Sequence, residues 1–368
     1  MRIGVLTSSR ADFGIYLPLL KRLEADAAFE LSIIAFGTHL SPAHGYTIEQ
    51  IEAAGFKVPY QIETVPANDT PAAISTAMGL TTFKFASFWD EHNTSFDMVF
   101  CLGDRYEMFS AVTAGIPFQI KFAHLHGGET TLGAIDNVFR HAITLASKYH
   151  FVSTADAAQK VAEITGRNEY IYYTGALGLD NLADMELCSV EEFRQNWDLD
   201  LSRQTILVTF HPETVDYNSN EQYATELVKT IKSLNGYQVL ITMPNADTAG
   251  NIIRNALRDN FSDSPNVFLT ENLGTKGYFT AMKYCAFLLG NTSSGIIEAA
   301  SLGKWVVNLG DRQKGRKAGD NVIHTPIDAD DILKAIQHIE QSGSPGNTNI
   351  YFNGGAANRI VEVLKQIQ

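Results

Sequence analysis

The chain has 368 residues, is 45% hydrophobic and 19% charged, and carries 28 Lys and Arg against 41 Asp and Glu, a formal net charge of −13. That length and composition suit two ordinary globular domains and exclude a disordered or fibrous chain, while the acidic balance excludes a general nucleic-acid binder. No apolar run approaches the roughly 20 residues that span a bilayer, and Met1-Arg2 leads straight into a strand-like run without a signal-peptide pattern, so a cytoplasmic protein with no membrane partner is expected. Cys101, Cys188 and Cys285 are far apart and form no CxxC pair, which predicts core residues and not a disulfide framework or a thiolate metal site.

In chain order, RIGVLT predicts a strand and Leu17–Ala25 a helix. FELSIIAFG, DMVFCLG, FQIKFAHL and YHFVS predict further strands, interleaved with helices over Ala72–Glu91, Tyr106–Ala114 and Ala155–Ile164. This βαβ rhythm implies a mainly parallel sheet. After a loop-rich stretch near Gly175–Glu186 the rhythm restarts with QTILVTF, YQVLITM, NVFLT, AFLLG and WVVNLG. The expected fold is α/β with two Rossmann-like domains, residues 1–176 and 177–368. A Gly/Ser/Pro/Asn stretch, Ser342–Asn349, precedes a final helix, Ala356–Ile367, placed to pack back on the first domain.

In such sheets ligands bind beyond the carboxyl ends of the strands. The segments there are polar: TSSRADFG, GDRYE, HLHGGE, HPET, PNAD and GNTSSG. Arg10 is a candidate anion contact, and Asp12 is either its orienting partner or a helix N-cap. Asp104 and Arg105 put an acid beside a base at a strand end, for proton transfer and substrate contact or as a structural ion pair. Ser293 and Ser294 open a helix whose first-turn amides suit a phosphate, although Ser/Thr clusters also serve as plain N-caps. Glu298, about one turn further on, is a candidate for ribose hydroxyls, and Arg312, Lys314, Arg316 and Lys317 place four cations within six residues, suited to a diphosphate. No Walker sequence occurs, nor a GxGxxG after a strand.

HLHGGETTLGAIDNVFRH, His124 to His141, has no known zinc spacing, so no metal is expected. Gly127-Gly128 would let backbone approach a ligand closely. Asp136 and Arg140 fall at i, i+4 on one helix face, where the guanidinium can hold the carboxylate toward a cleft or merely pair with it for stability.

Taken together, TSSRADFG, FGTHLSPAHGYT, GDRYEM, HLHGGETTLGAIDNVFRHAI, HPET, PNAD, GNTSSGIIEA and GDRQKGR resemble the hydrolysing UDP-N-acetylglucosamine 2-epimerase family, in order and over nearly the whole chain. The resemblance implies the B-type glycosyltransferase architecture with its active site in the interdomain cleft. It also implies release of UDP and N-acetylmannosamine for sialic acid-type sugar synthesis, a UDP-sugar as partner, and neither metal nor cofactor. A homodimer or homotetramer is expected. By motif, Arg10, His211, Asn245, Ser293, Ser294, Glu298 and Arg312 take nucleotide or phosphate roles, and Asp104, Asp136 and Arg140 lie near the sugar. The implied chemistry, elimination of UDP to a glycal followed by hydration, needs two proton-transfer groups, for which Asp104, Glu129, Asp136 and His126 are candidates.

One departure stands out: the family pattern has Glu where this chain has His126. The histidine either joins the acid–base work or contacts a differently substituted sugar. The alternative substrate is UDP-2,4-diacetamido-2,4,6-trideoxyglucose, for legionaminic acid synthesis, with His39, Ser41, His44 and His126 near the sugar's C4 and C6. The alternative class is a B-type glycosyltransferase.

Overall fold

A computed structural model describes residues 1–42, 45–64, 70–244 and 250–367. Asn245 and His44, both named above, lie outside the described residues. The chain divides into two compact units: residues 1–129, 136–183 and 351–368, and residues 130–135 and 184–350.

The first unit is built on β1 (Arg2–Thr7), β2 (Glu30–Phe36), β3 (Tyr60–Ile62), β4 (Met98–Leu102), β5 (Phe122–Leu125), β6 (Tyr149–Val152) and β7 (Ile171–Tyr173). Their order is β3-β2-β1-β4-β5-β6-β7, and every pairing is parallel. The strands read as unbroken apolar runs because both sheet faces are covered and successive side chains point to opposite sides. Phe100 packs on one face with Val5 and Phe151, while Val99 and Cys101 pack on the other with Phe36, Trp89 and Phe122. The helices are α1 (Arg10–Ala25), α2 (Ile48–Ala53), α3 (Pro71–His92), α4 (Tyr106–Gly115), α5 (Asp136–Ala146), α6 (Ala155–Thr165) and α7 (Gly178–Asp184).

α1 starts seven residues before the Leu17 read from the pattern. Pro18 suggests a first helical turn, but Ser9 is the true N-cap, accepting from the Asp12 amide, and Pro18 sits buried within the helix. β3 and β7, three residues each, are edge strands whose patterns are too short to register.

The second unit holds β8 (Thr205–Thr209), β9 (Gln238–Thr242), β10 (Val267–Thr270), β11 (Phe287–Gly290), β12 (Trp305–Leu309) and β13 (Val322–Thr325), in the order β10-β9-β8-β11-β12-β13, again all parallel. Its helices are α8 (Val190–Trp197), α9 (Asn220–Ser233), α10 (Gly250–Phe261), α11 (Gly274–Tyr284), α12 (Ser293–Ile297) and α13 (Ala329–Gln341). Ile206, Val208, Ile241, Leu289 and Val307 bury one sheet face beneath α9, α10 and α13. Among the described residues, no helix is long and apolar enough to cross a membrane.

The last helix, α14 (Ala356–Gln366), belongs to the first unit. Ala356, Ala357, Ile360 and Leu364 recur at helical spacing and pack into the core formed with α1. Its N-cap, Gly355, has no side chain to satisfy the first amides. Asp180 of α7, buried, does so instead: Oδ1 accepts from Ala356 N at 3.0 Å and Oδ2 from Ala357 N at 2.7 Å. A carboxylate at a helix N-terminus also meets the positive end of the dipole. Asp180→Ala is therefore expected to cost about 1–3 kcal/mol, read as a lower urea midpoint at unchanged m-value. An unmoved midpoint would mean that the apolar face alone holds α14.

Candidate functional site

In the first unit the polar groups gather after β1, β4, β5 and β6, a contiguous block of the sheet. β4 ends at Leu102, and Gly103 turns the chain so that Asp104 stands at the carboxyl end, its side chain 27% exposed. Arg140, on α5, is 1% exposed. Its guanidinium forms an ion pair with Asp104 and donates from Nη1 to the Glu129 carbonyl at 3.0 Å. A buried guanidinium holding a carboxylate and a carbonyl at once fixes both in the planar geometry that only arginine offers. Asp136 opens α5 one turn earlier and is half-buried.

After β5, His126 adopts φ 62°, left-handed backbone unusual for a residue with a side chain. Its Nδ1 lies 2.8 Å from Oε1 of Glu129, which also accepts from Ser153 Oγ at 2.7 Å. Where Glu129 is ionised its carboxylate only accepts, and Nδ1 is then the donor. Glu129 is buried, and His126 is 13% exposed. Asp104, Glu129, His126 and Arg140 thus form one connected group. Ser153, after β6, completes it and was missed in the sequence, although it too follows a strand.

Several readings change with the structure. Gly127 and Gly128 are pressed against the protein's own atoms: a β-carbon on Gly128 would collide with the Ala157 carbonyl and lie 2.9 Å from Val161, and one on Gly127 would lie 2.8 Å from the His124 ring. Asp12 is buried and turned back on its own loop, with Oδ2 accepting from the Ser8 amide at 2.9 Å and the Ser8 hydroxyl at 2.6 Å. It braces the β1–α1 turn that presents Arg10, itself half-buried at the helix start. Arg105 is gripped by the fully buried Glu107 through bonds of 3.0 and 3.2 Å, a partner the sequence reading overlooked. His39 is wholly buried, with its ring nitrogens 2.9 Å from the Thr7 and Thr47 hydroxyls, and burial lowers its pKa. These two bonds tie the turn after β2 to the end of β1 and to the start of α2.

Beneath Asp104 lies His124. Its Nε2 is 2.8 Å from the Gly103 carbonyl, which can only accept, so Nε2 is protonated; Nδ1 is 3.1 Å from the Thr144 hydroxyl. Burial pushes its pKa down to about 3. Neutral His124 is a prop for the Gly103-Asp104 turn.

In the second unit, candidates follow β8, β11 and β12, which are adjacent in the sheet, and the unassigned Asn245 follows the next strand, β9. His211 is buried after β8, and its backbone is clasped by the Asn291 side chain, which accepts from His211 N at 2.7 Å and donates to His211 O at 2.8 Å. Ser293 and Ser294 open α12 under a Thr292 cap. The α-helix is five residues long, and buried Glu298, its C-cap one turn after Ser294, stands where the chain passes directly into the 3-10 turn Ala299–Leu302.

Arg312 follows β12. Its amide and that of Asp311 donate to Oε1 of buried Glu213 at 3.1 and 2.6 Å, its Nη1 donates to the Pro212 carbonyl at 2.6 Å, and Gln313 Nε2 donates to the Asn291 carbonyl at 2.8 Å. Glu213, Asn291 and Gln313 were not singled out by the sequence. Glu213 and Asn291 sit in quoted strand-end segments and were legible there; Gln313, one amide among cations, gave no signal. Lys314 is exposed and pairs with Asp311.

Two parallel-sheet Rossmann-like units with polar loops after the strands define an α/β protein of the B-type glycosyltransferase architecture. A crystal structure of UDP-GlcNAc 2-epimerase from Neisseria meningitidis bound to UDP-GlcNAc has this fold, with TM-score 0.84 and 16% identity over 100% of both chains. The family model for UDP-N-acetylglucosamine 2-epimerase matches residues 21–365. The UDP-N,N'-diacetylbacillosamine 2-epimerase (hydrolyzing) of Legionella pneumophila is 32% identical over 100% of this chain and 96% of its own. The GDP/UDP-N,N'-diacetylbacillosamine 2-epimerase (hydrolyzing) of Campylobacter jejuni is 31% identical over 92% and 87%. The chain belongs to the hydrolysing UDP-N-acetylglucosamine 2-epimerase family.

Proposed function

We propose that this enzyme converts UDP-N,N'-diacetylbacillosamine, the 2,4-diacetamido-2,4,6-trideoxyglucose nucleotide, and water to UDP and the free 2-epimeric sugar, a precursor suited to legionaminic acid synthesis. The observation that carries the chemistry is the half-exposed Asp104 carboxylate held by buried Arg140, which also anchors the chain at Glu129. In this reading the C1–O bond to UDP breaks, a carboxylate takes the C2 proton, and a glycal forms. Water then adds its hydroxyl at C1 while C2 gains a proton on the opposite face. Asp104, Glu129 and Asp136 supply the proton-transfer groups, with His126 set against Glu129. Arg10, Arg312, Ser293 and Ser294 take the diphosphate, His211 and Asn245 the nucleotide, and Glu298 the ribose.

The substrate assignment is supported by the two hydrolysing relatives and by His126, the departure beside the acids. A second reading, UDP-N-acetylglucosamine giving N-acetylmannosamine, is favoured by the family model that matches residues 21–365. NMR in deuterated water decides between them. The diacetamido substrate should be consumed faster, releasing UDP and a sugar deuterated at C2. Faster turnover of UDP-N-acetylglucosamine would support the second reading, and transfer only to an added acceptor would overturn both in favour of a glycosyltransferase. His126→Gln should change the ratio of the two efficiencies.

A further inference from the structure

Residues Thr130–Ile135 follow Glu129 and precede Asp136 in the sequence, yet they belong to the second unit. Three contacts hold them there. The Leu132 amide donates to the Lys314 carbonyl at 2.9 Å, the Ile135 amide donates to Thr214 Oγ1 at 3.0 Å, and Gly133 lies directly on the backbone of Asp311 and Arg312. A β-carbon on Gly133 would collide with the Asp311 carbonyl and lie 2.6 Å from the Arg312 nitrogen. Across the same seam, one on Gly315 would lie 2.8 Å from the Thr130 methyl. Backbone has no rotamer with which to yield, so any side chain at position 133 must push the two segments apart.

The Arg312 loop is otherwise fastened from its own unit's strand ends, by Glu213 and Pro212 after β8 and by the Asn291 carbonyl after β11. We propose that Thr130–Ile135 is a positioning strap for the diphosphate-binding loop, and that Gly133 sets the place of Arg312 without touching nucleotide. The proposal rests on the nucleotide reading of Arg312. It gives the strap's glycine a reason independent of turn geometry, and it makes the residues between the two candidate acids part of the UDP site's framework.

The test is calorimetry of UDP binding to the full-length protein and four variants. Gly133→Ala should raise the Kd for UDP at least tenfold, and so should Arg312→Ala. Thr214→Val, which removes the Ile135 anchor without adding bulk, should raise it about threefold. Gly115→Ala, whose β-carbon would meet Phe122 at 2.6 Å within the first unit's core, controls for loss of stability alone and should leave the Kd within twofold. A normal Kd for Arg312→Ala would overturn the nucleotide reading and the proposal with it. Weakened Arg312→Ala beside normal Gly133→Ala and Thr214→Val would overturn the strap alone, as would a Kd for Gly115→Ala raised as far as that of Gly133→Ala. If Gly133→Ala does not fold, Thr214→Val carries the test, and its normal Kd overturns the proposal.

Discussion

Arg140→Lys is expected to lower turnover by about 10²–10³ while UDP affinity stays within twofold. The charge survives the change, but the geometry does not. The guanidinium spans the Asp104 carboxylate and the Glu129 carbonyl from a position 1% exposed, and a single ammonium cannot reach both with a planar fork. One of the two groups is then left to drift, and small displacements at reacting groups are costly. UDP affinity should hold because the diphosphate candidates lie on other strands. UDP release monitored with saturating substrate, set against calorimetry with UDP, separates the two effects. Equal losses in both would mean that Arg140 serves the fold and not the chemistry.

The second large effect is on stability in mild acid. His124 and His150 are each fully buried, and burial pushes their pKa values down to about 3 and about 4 from the ordinary 6.5. Both therefore bind protons more weakly folded than unfolded. Their stabilisation is complete above about pH 6.5 and is lost as pH falls from there toward the folded values. Between pH 7 and pH 5 each should remove about 2 kcal/mol, a large share of a stability of about 5–15 kcal/mol. Urea unfolding at the two pH values measures the loss. His124→Gln, which keeps an N–H near the Gly103 carbonyl, should shrink the difference even if it lowers stability at pH 7. A difference unchanged by His124→Gln and by His150→Leu would assign the acid sensitivity to other groups.

The sheet strands were legible because parallel strands covered on both faces are plain apolar runs, and the strand-end rule then pointed to Asp104, Glu129, His211 and the Ser293-Ser294 segment. What escaped was set by tertiary contact. β13, four residues on a sheet edge, has too little pattern to be seen. That Glu107 holds Arg105, or that Ser8 holds Asp12, depends on rotamers that spacing does not encode. The i, i+4 relation of Asp136 to Arg140 was visible, but the ion pair of Arg140 with Asp104, 36 positions earlier, was not. Nor did GGETTLGAI betray where each glycine is pressed: Gly128 against Ala157, Gly133 against Asp311. A glycine run announces close approach without naming the partner.

The return of α14 to the first unit bears on how the protein is made. A ribosome delivers β1 through α7 long before residues 351–367, so the nascent first unit must wait with the α14 seat on α1 empty and Asp180 without the amides it accepts. The second unit's Asp184–Ile350 stretch emerges in the interval and can fold during synthesis. The order of completion is thus the reverse of the order of translation, and the half-finished first unit, its apolar seat open to solvent, is the species that a chaperone would meet.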